Sequence, residues 1–272
     1  MSFLGACLAV LLVLALYGFW YEPASLRAVV HTIALDEATR LSQTPLRVVV
    51  IADLHGGAPF IDEAKIEKVV TLANAAKPDL VLLTGDYVIS GVRGGHFMPI
   101  ETIAGKMRAL SAPLGVYAVL GNHDRSSDAR RIEAAFSEVG IHVLENQAVK
   151  LKHGGTFYLA GLSDWYTGPR DIKGMTAQLP AGAHALCFTH SPDIFPLLPR
   201  TCALTIAGHT HGGQVFLPFF GRPIVPSLYG QRYAAGLVHE NGKYLFVSTG
   251  IGTSNIPVRF GVPPEVSVLD IH

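Results

Sequence analysis

Leu46 to Gly57 reads LRVVVIADLHGG. The apolar run from Leu46 to Ala52 is too short for a buried helix and rich in valine, so it predicts a strand covered on both faces. Its exit is polar, with Asp53 and His55 two residues apart before a pair of glycines. An extended chain points residues i and i+2 to the same side, so both side chains can aim at one object. Helical spacing follows over IDEAKIEKVVTLANAA (61–76), and after Pro78 a second strand-like run, DLVLLTGD, ends in Gly85 and Asp86. A helical stretch near Pro99–Leu110 leads to APLGVYAVLGNHD, which closes on Asn122, His123 and Asp124. Asp128–Val139 is again helical, with Ser126 or Ser127 as its N-cap. Strands alternating with helices predict a largely parallel first sheet.

From Ile141 the short apolar runs and turn residues (NQAV, HGGT, NGKY) read as mostly antiparallel strands of a second, mixed sheet, with NGKY a hairpin turn. The expected fold is an α/β sandwich of two mixed sheets flanked by helices, preceded by one N-terminal transmembrane helix. That helix is Phe3–Tyr21, FLGACLAVLLVLALYGFWY, which carries no charge and ends in an aromatic cluster. At ~20 residues it is long enough to span a bilayer. It lacks a Lys/Arg n-region and a clear small-x-small cleavage site, which favours an uncleaved anchor over a signal peptide. Arg27, Arg40 and Arg47 follow it and no basic residue precedes it, which favours a single-pass inner-membrane protein with a cytoplasmic catalytic domain. Residues 1–23 are then the anchor, 24–45 a connector with a short strand around Ala28–Leu35, and 46–272 the catalytic domain.

Composition narrows the partners. Charged residues are only 15% of the 272 and balance to a net charge of +0, which argues against a nucleic-acid surface driven by phosphate attraction. Cys7, Cys187 and Cys202 have no CxxC spacing, so neither a zinc–thiolate site nor a disulfide framework is expected. No obligate protein partner is evident.

The polar strand exits share one chemistry. To Asp53, His55, Asp86, Asn122, His123 and Asp124 the second half adds His190 and IAGHTHGGQVFLP (206–218), which places His209 and His211 on one side of an extended segment between glycines. The carboxyl ends of strands gather at one edge of an α/β sheet, so these groups can meet there. A donor set of nitrogen and oxygen without thiolate suits Mn, Fe, Zn or Co.

In this order, DLH, GD, GNHD, a later His and GHTH resemble the calcineurin-like metallophosphoesterase family. The stretches GHTHGGQVFLP, YGQRY and GIGTSNIPVRFGVPPEV, with the N-terminal anchor, look like its membrane-anchored bacterial branch, which includes phosphodiesterases and UDP-2,3-diacylglucosamine hydrolases of lipid A synthesis. The resemblance implies two divalent metal ions, Mn favoured. Asp53, His55 and His211 would hold one, Asn122, His190 and His209 the other, and Asp86 would bridge them. Two such cations share a hydroxide and stabilise the attacking and leaving oxygens at phosphorus. His123, oriented by Asp124, is then expected to protonate the leaving group.

The substrate expected is a phosphodiester or pyrophosphate, in its sharper form lipid-linked, such as UDP-2,3-diacylglucosamine. The alternatives are a broad-specificity envelope phosphodiesterase and an inactive, metal-bound interaction scaffold. Arg125, Arg170, Arg222 and Arg232 read as solvated loop charges more than as phosphate ligands, Asp164–Tyr166 as a loop that either lines the pocket or packs Trp165 into the core, and Arg259 with Glu265 as a structural pair.

Overall fold

The computed structural model describes residues 2–272. Its twelve strands are β1 (Arg27–Ile33), β2 (Leu46–Ile51), β3 (Leu80–Leu83), β4 (Val116–Ala118), β5 (His142–Val143), β6 (Gln147–Lys152), β7 (Thr156–Gly161), β8 (Ala185–Phe188), β9 (Cys202–Ala207), β10 (Gly236–Glu240), β11 (Lys243–Val247) and β12 (Glu265–Ile271). They form two six-stranded sheets, ordered β1-β12-β2-β3-β4-β5 and β10-β11-β9-β8-β7-β6.

The valine run of β2 shows why the sheets stack. Alternate residues point to opposite faces. Val48 and Val50 pack into the layer between the sheets with Leu186, Phe188, Leu204 and Ile206. Val49 and Ile51 turn the other way, onto Ile66, Val69 and Ala73 of the helix Glu63–Ala75 and onto Ile103 and Met107 of the helix Ile100–Met107. Both faces are covered, so the strand has no polar side to alternate.

The second sheet departs from the mostly antiparallel expectation. β7 pairs with β8, β8 with β9 and β9 with β11, all parallel, and only the flanking pairs β6–β7 and β10–β11 are antiparallel. The returns between parallel strands are short helical turns such as Ile172–Thr176 and Pro192–Leu197, too brief to leave a periodic signal. NGKY does form a hairpin: Asn241 and Gly242 sit at φ 54° and 69° between Glu240 and Lys243, the paired left-handed geometry that matches strand twist.

Other details also differ from expectation. The helix Ala129–Glu138 is capped by Asp128, whose carboxylate accepts from Arg131 N at 3.1 Å, because Asn122–Ser127 forms a helical turn of its own and absorbs both serines. Arg259 does not bond Glu265. Its guanidinium is fully buried and donates to the carbonyls of Gly252, Val262 and Thr249, while Glu265 lies 3.3 Å from His31. Cys187 and Cys202, buried on neighbouring strands β8 and β9, are joined in a disulfide. Their fifteen-residue separation showed no motif because the sheet, not local spacing, brings them together.

At the N-terminus a helix runs over Phe3–Ala24, with a π-helical turn at Tyr17–Tyr21, and is long and apolar enough to cross a membrane. It is almost wholly exposed until it meets the domain. The segment read as a connector then contributes β1, which pairs with β12 along its whole length, from Arg27↔Glu265 to Ile33↔Ile271. The sheet therefore begins well before residue 46. Ile33 is fully buried between the sheets, so Ile33→Ala should lower unfolding free energy by about 2–5 kcal/mol, measured by chemical denaturation. A loss below about 0.5 kcal/mol, as for a surface position, would show that β1 is not part of the cooperative fold.

Candidate metal centre

Parallel registers bring the polar strand exits to a common edge. Ile51 pairs with Leu83, Leu83 with Ala118, and in the second sheet Phe188 with Ile206. The residues that follow these ends are Asp53 and His55, Asp86, Asn122 and His123, His190, and His209 and His211. The structure brings them together.

The backbone there is unusual. Asp53, His55, Asp86, His209 and His211 all have positive φ, at 51°, 48°, 56°, 70° and 50°. Left-handed conformations cost non-glycine residues roughly 1–3 kcal/mol each and persist where surrounding structure enforces them. Here the enforcement is a set of crossed bonds between loops. Asp53 N donates to Gly85 O at 3.1 Å and His55 N to Asp86 O at 2.9 Å. His209 N donates to both Asp53 oxygens, at 2.9 and 3.0 Å, and His123 N to Asp86 Oδ1 at 2.9 Å. Such approach requires glycine at the crossing: a Cβ on Gly121 would collide with Asp86 Oδ1, and one on Gly208 would stand 2.7 Å from Asp53 Oδ2.

Three groups of donor atoms result, one of which sets His123 beside His55 and Asp86, while the other two leave His123 out. Asp53, His55 and His211 form one, with His55 Nε2 3.1 Å from His211 Nε2 and His211 Nε2 3.9 Å from Asp53 Oδ1. Asp86, His190 and His209 form the other, where His190 Nε2 lies 3.0 Å from His209 Nδ1, 3.1 Å from Asn122 Oδ1 and 3.3 Å from Asp86 Oδ2. The rings are aimed. His190 donates Nδ1–H to Thr84 O at 2.8 Å and His211 donates Nδ1–H to Gly252 O at 3.3 Å, which turns each Nε2 into the cluster.

Electrostatics fit a cation. Burial pushes His55 down to about 3 and His209 down to about 4, in His209 with help from neighbouring His190, so both rings present lone pairs at neutral pH. Burial, His55 and Arg259 together hold His211 well below the ordinary range. Asp53 is raised to about 7, by burial first and by the nearby Asp86 carboxylate, against the pull of His190. His190, set between both carboxylates, keeps its proton well above the ordinary range: burial opposes it, but Asp86 and Asp53 prevail. The carboxylates thus call for positive charge at His190 Nε2, and a divalent ion held there would supply it in place of the proton.

His123 differs from these residues by exposure more than by distance. Its Nε2 is 3.9 Å from Asp86 Oδ2, close enough to group with His55 and Asp86, but it keeps 16% of its side-chain surface and lines the adjoining cavity. Its Nδ1 has no hydrogen-bond partner. The expected orienting role of Asp124 is therefore corrected. The Asp124 carboxylate is fully buried and accepts from the backbone N–H groups of Asp86 (2.7 Å), Tyr87 (2.8 Å), Val88 (3.3 Å) and Gly121 (2.9 Å). It holds the loops after β3 and β4 against each other and does not touch the imidazole.

A cavity of about 450 Å³ opens beside the cluster, bounded on one side by Asp86, Asn122, His123, His209 and His211 and on the other by Val215, Pro223, Ile224, Pro226, Ile256 and Val258. The four arginines expected to be loop charges are all engaged. Arg125 pairs with Glu145, Arg170 lies over the Trp165 ring, Arg222 donates to Gly212 O and Arg232 pairs with Glu240. Of the Asp164–Tyr166 loop, Tyr166 reaches the site, its ring 5.3 Å from that of His209. Sequence reasoning missed Asp193. This buried carboxylate accepts from Ser227 Oγ at 2.5 Å, from Leu228 N at 2.8 Å and from the Tyr166 hydroxyl, fastening two cavity loops. Its signal was thin, an acid three residues after His190 with no glycine beside it.

An α/β sandwich with buried imidazoles and carboxylates converging at the strand ends defines a metal-dependent hydrolase. The sequence profile of calcineurin-like phosphoesterases matches residues 46–213, and the chain belongs to that family. It is a metal-dependent phosphoester hydrolase. The chain is 28% identical over 264 residues to a protein of Bacillus subtilis (strain 168) described as "Uncharacterized metallophosphoesterase YkuE", covering 94% of this chain and 88% of that one. It is 29% identical over 261 residues to "Phosphodiesterase YaeI" of Escherichia coli (strain K12), covering 94% and 92%. Among solved structures, a 5'-nucleotidase precursor from Thermus thermophilus superposes with a TM-score of 0.45 at 14% identity, over 75% of this chain and 48% of that one.

The two neighbours in GNHD should separate cleanly. Asp124→Ala leaves buried N–H groups without acceptors and should cost at least about 3 kcal/mol of metal-free stability. His123→Ala should stay within about 1 kcal/mol. Equal losses in urea denaturation would sink the distinction.

Proposed function

We propose that the chain is a membrane-anchored phosphoesterase that holds two divalent cations, manganese favoured, and hydrolyses a phosphodiester or pyrophosphate bond in a lipid-linked substrate. The observation that carries this reading is the position of Asp86. Its Oδ2 lies 3.3 Å from His190 Nε2 and 3.7 Å from His55 Nε2, so one carboxylate reaches both donor groups. Asp53, His55 and His211 would hold one ion, Asn122, His190 and His209 the other, with Asp86 common to both. Bound there, such a pair supplies Lewis acidity that lowers the pKa of water and neutralises phosphoryl charge.

The chain's own groups do the rest. His123 would hold a proton at the leaving-group oxygen, a role that its position on the cavity wall supports. The apolar cavity wall from Val215 to Val258 supports a substrate with a hydrocarbon portion beside the phosphoryl group, and UDP-2,3-diacylglucosamine is the candidate that the sequence motifs favour. The printed name of the E. coli relative supports the phosphodiester reading. The apolar helix Phe3–Ala24 supports the anchor. On the side of the membrane, Arg27, Arg40 and Arg47 after the helix support a cytoplasmic catalytic domain, the side on which a UDP-linked substrate would be met, whereas the envelope-phosphodiesterase alternative would fit the oxidising compartment in which pairs such as Cys187–Cys202 persist.

Hydrolysis of an aryl phosphodiester and of UDP-2,3-diacylglucosamine, assayed in parallel on full-length protein reconstituted with Mn, tests the proposal. His123→Ala should lower turnover by about 10²–10⁴-fold with metal content unchanged by elemental analysis, whereas His209→Ala and Asn122→Ala should lose metal. Activity on the aryl diester alone would remove the lipid substrate and leave a broad envelope phosphodiesterase. Two bound metals with neither substrate hydrolysed would make the chain a metal-bound scaffold.

A further inference from the structure

The far wall of the cavity belongs to a loop that is poorly suited to water. Between Phe216 and Tyr229, Phe219 is 105% exposed, Phe220 82%, Ile224 78% and Leu228 70%. Ile224 also lines the cavity, with Pro223 and Pro226. No carboxylate occurs between Asp193 and Glu240 in the sequence. Large apolar side chains exposed together on one loop mark a site that something covers.

The backbone shows where the loop sits. Phe216 N donates to Phe260 O at 2.7 Å, and Val215 bridges to Phe260. The next residue back, Arg259, donates its N–H to Gly18 O at 2.9 Å, and the Tyr17 ring meets the Phe260 ring at 5.7 Å. The helix is fixed to this segment more than once. Glu22 accepts from Gly261 N at 2.9 Å and Val262 N at 2.6 Å, and Lys65 Nζ closes the helix end on Ala24 O and Ser25 O at 2.6 and 2.8 Å. One continuous strip therefore runs from the helix, through residues 258–262, to the exposed loop. It leaves the helix at Tyr17–Tyr21, whose aromatic residues Tyr17, Phe19, Trp20 and Tyr21 are themselves exposed. Aromatic residues at the end of an apolar span mark the layer between hydrocarbon and water.

We infer that the Phe216–Tyr229 loop is set into the interfacial layer of the bilayer that holds the N-terminal helix, so that the apolar side of the cavity opens onto the membrane and receives acyl-bearing phosphoesters from it. The inference rests on the anchored reading proposed above and adds the substrate's route. Phe219 and Phe220 enter the acyl region, and Ile224 and Pro226 continue that surface inward to His209 and His211.

Nitroxide labelling of the full chain in phosphatidylcholine vesicles tests the placement, with Cys7→Ser as background and single cysteines at Phe220→Cys, at Val10→Cys in the helix, and at Glu138→Cys, which is on the helix packed against the far-edge strand β5. The label at 220 should collide with oxygen and be shielded from an aqueous nickel chelate, as at 10 and unlike at 138. If 10 is shielded and 220 is as open to the chelate as 138, the inference is overturned and the anchor stands. If 10 is open as well, both fall together.

The route is tested by Phe219→Ser with Phe220→Ser. Hydrolysis of a vesicle-borne aryl ester of a diacyl phosphatidate should fall about tenfold or more, from the lost burial of two phenyl rings, with a soluble aryl diester cleaved at the wild-type rate. Equal loss on both, or none on the lipid ester, rejects the route. A shielded 220 with neither ester cleaved by the wild type would confine the failure to the proposed reaction.

Discussion

Everything in the centre depends on one buried carboxylate that has no place for a ligand of its own. Asp124 gathers the N–H groups of Gly121, Asp86, Tyr87 and Val88. By doing so it locks the loop after β3 onto the loop after β4 and fixes Asp86 in a left-handed conformation it would not otherwise hold. Burial pushes this carboxyl up to about 7, with Asp86 adding to the shift, and the same backbone donors oppose it. Asp86 in turn anchors His123 N, and Asp53 anchors His209 N across the sheets. The donor geometry is thus a property of crossed backbone bonds more than of the side chains that display it.

The sandwich makes those crossings possible. Its two sheets present the ends of β2, β3 and β4 from one side and of β8 and β9 from the other, with the layer of Val48, Val50, Phe188 and Ile206 setting the distance between them. The disulfide joins β8 to the start of β9, the two strands whose far ends lead to His190 and to His209 and His211. A strained edge is tolerable because the core beneath it is continuous, and Asp53, His55, Asp86, His209 and His211 share the left-handed backbone there. Asp193 extends this logic outward, tying the Tyr166 loop to Ser227 and Leu228 at the end of the exposed aromatic loop.

Much of the fold was legible in the sequence because the first sheet is built from covered strands and amphipathic helices. The valine run at Leu46–Ile51 and the spacing in Glu63–Ala75 each carry a period that local residues enforce. The second sheet was misread as mostly antiparallel because short turns connect its parallel strands, and length alone suggested hairpins. The ligand-type residues were legible for a different reason: imidazoles and carboxylates at glycine-flanked strand ends have little packing purpose. Asp124, beside them in GNHD, was credited with orienting His123 because sequence adjacency cannot show which way a buried carboxylate turns.

The sequence by itself determined the fold class, the family and the donor inventory from Asp53 to His211, since each is written in local pattern and residue chemistry. Only the tertiary structure decided the pairing of Cys187 with Cys202, the burial of Arg259 away from Glu265, the docking of Glu22 on Gly261 and Val262, and the attachment of both the aromatic loop and the helix to residues 259–262. These contacts join residues far apart in the chain, and the free energy that selects them arises only when both sheets have closed on a common core.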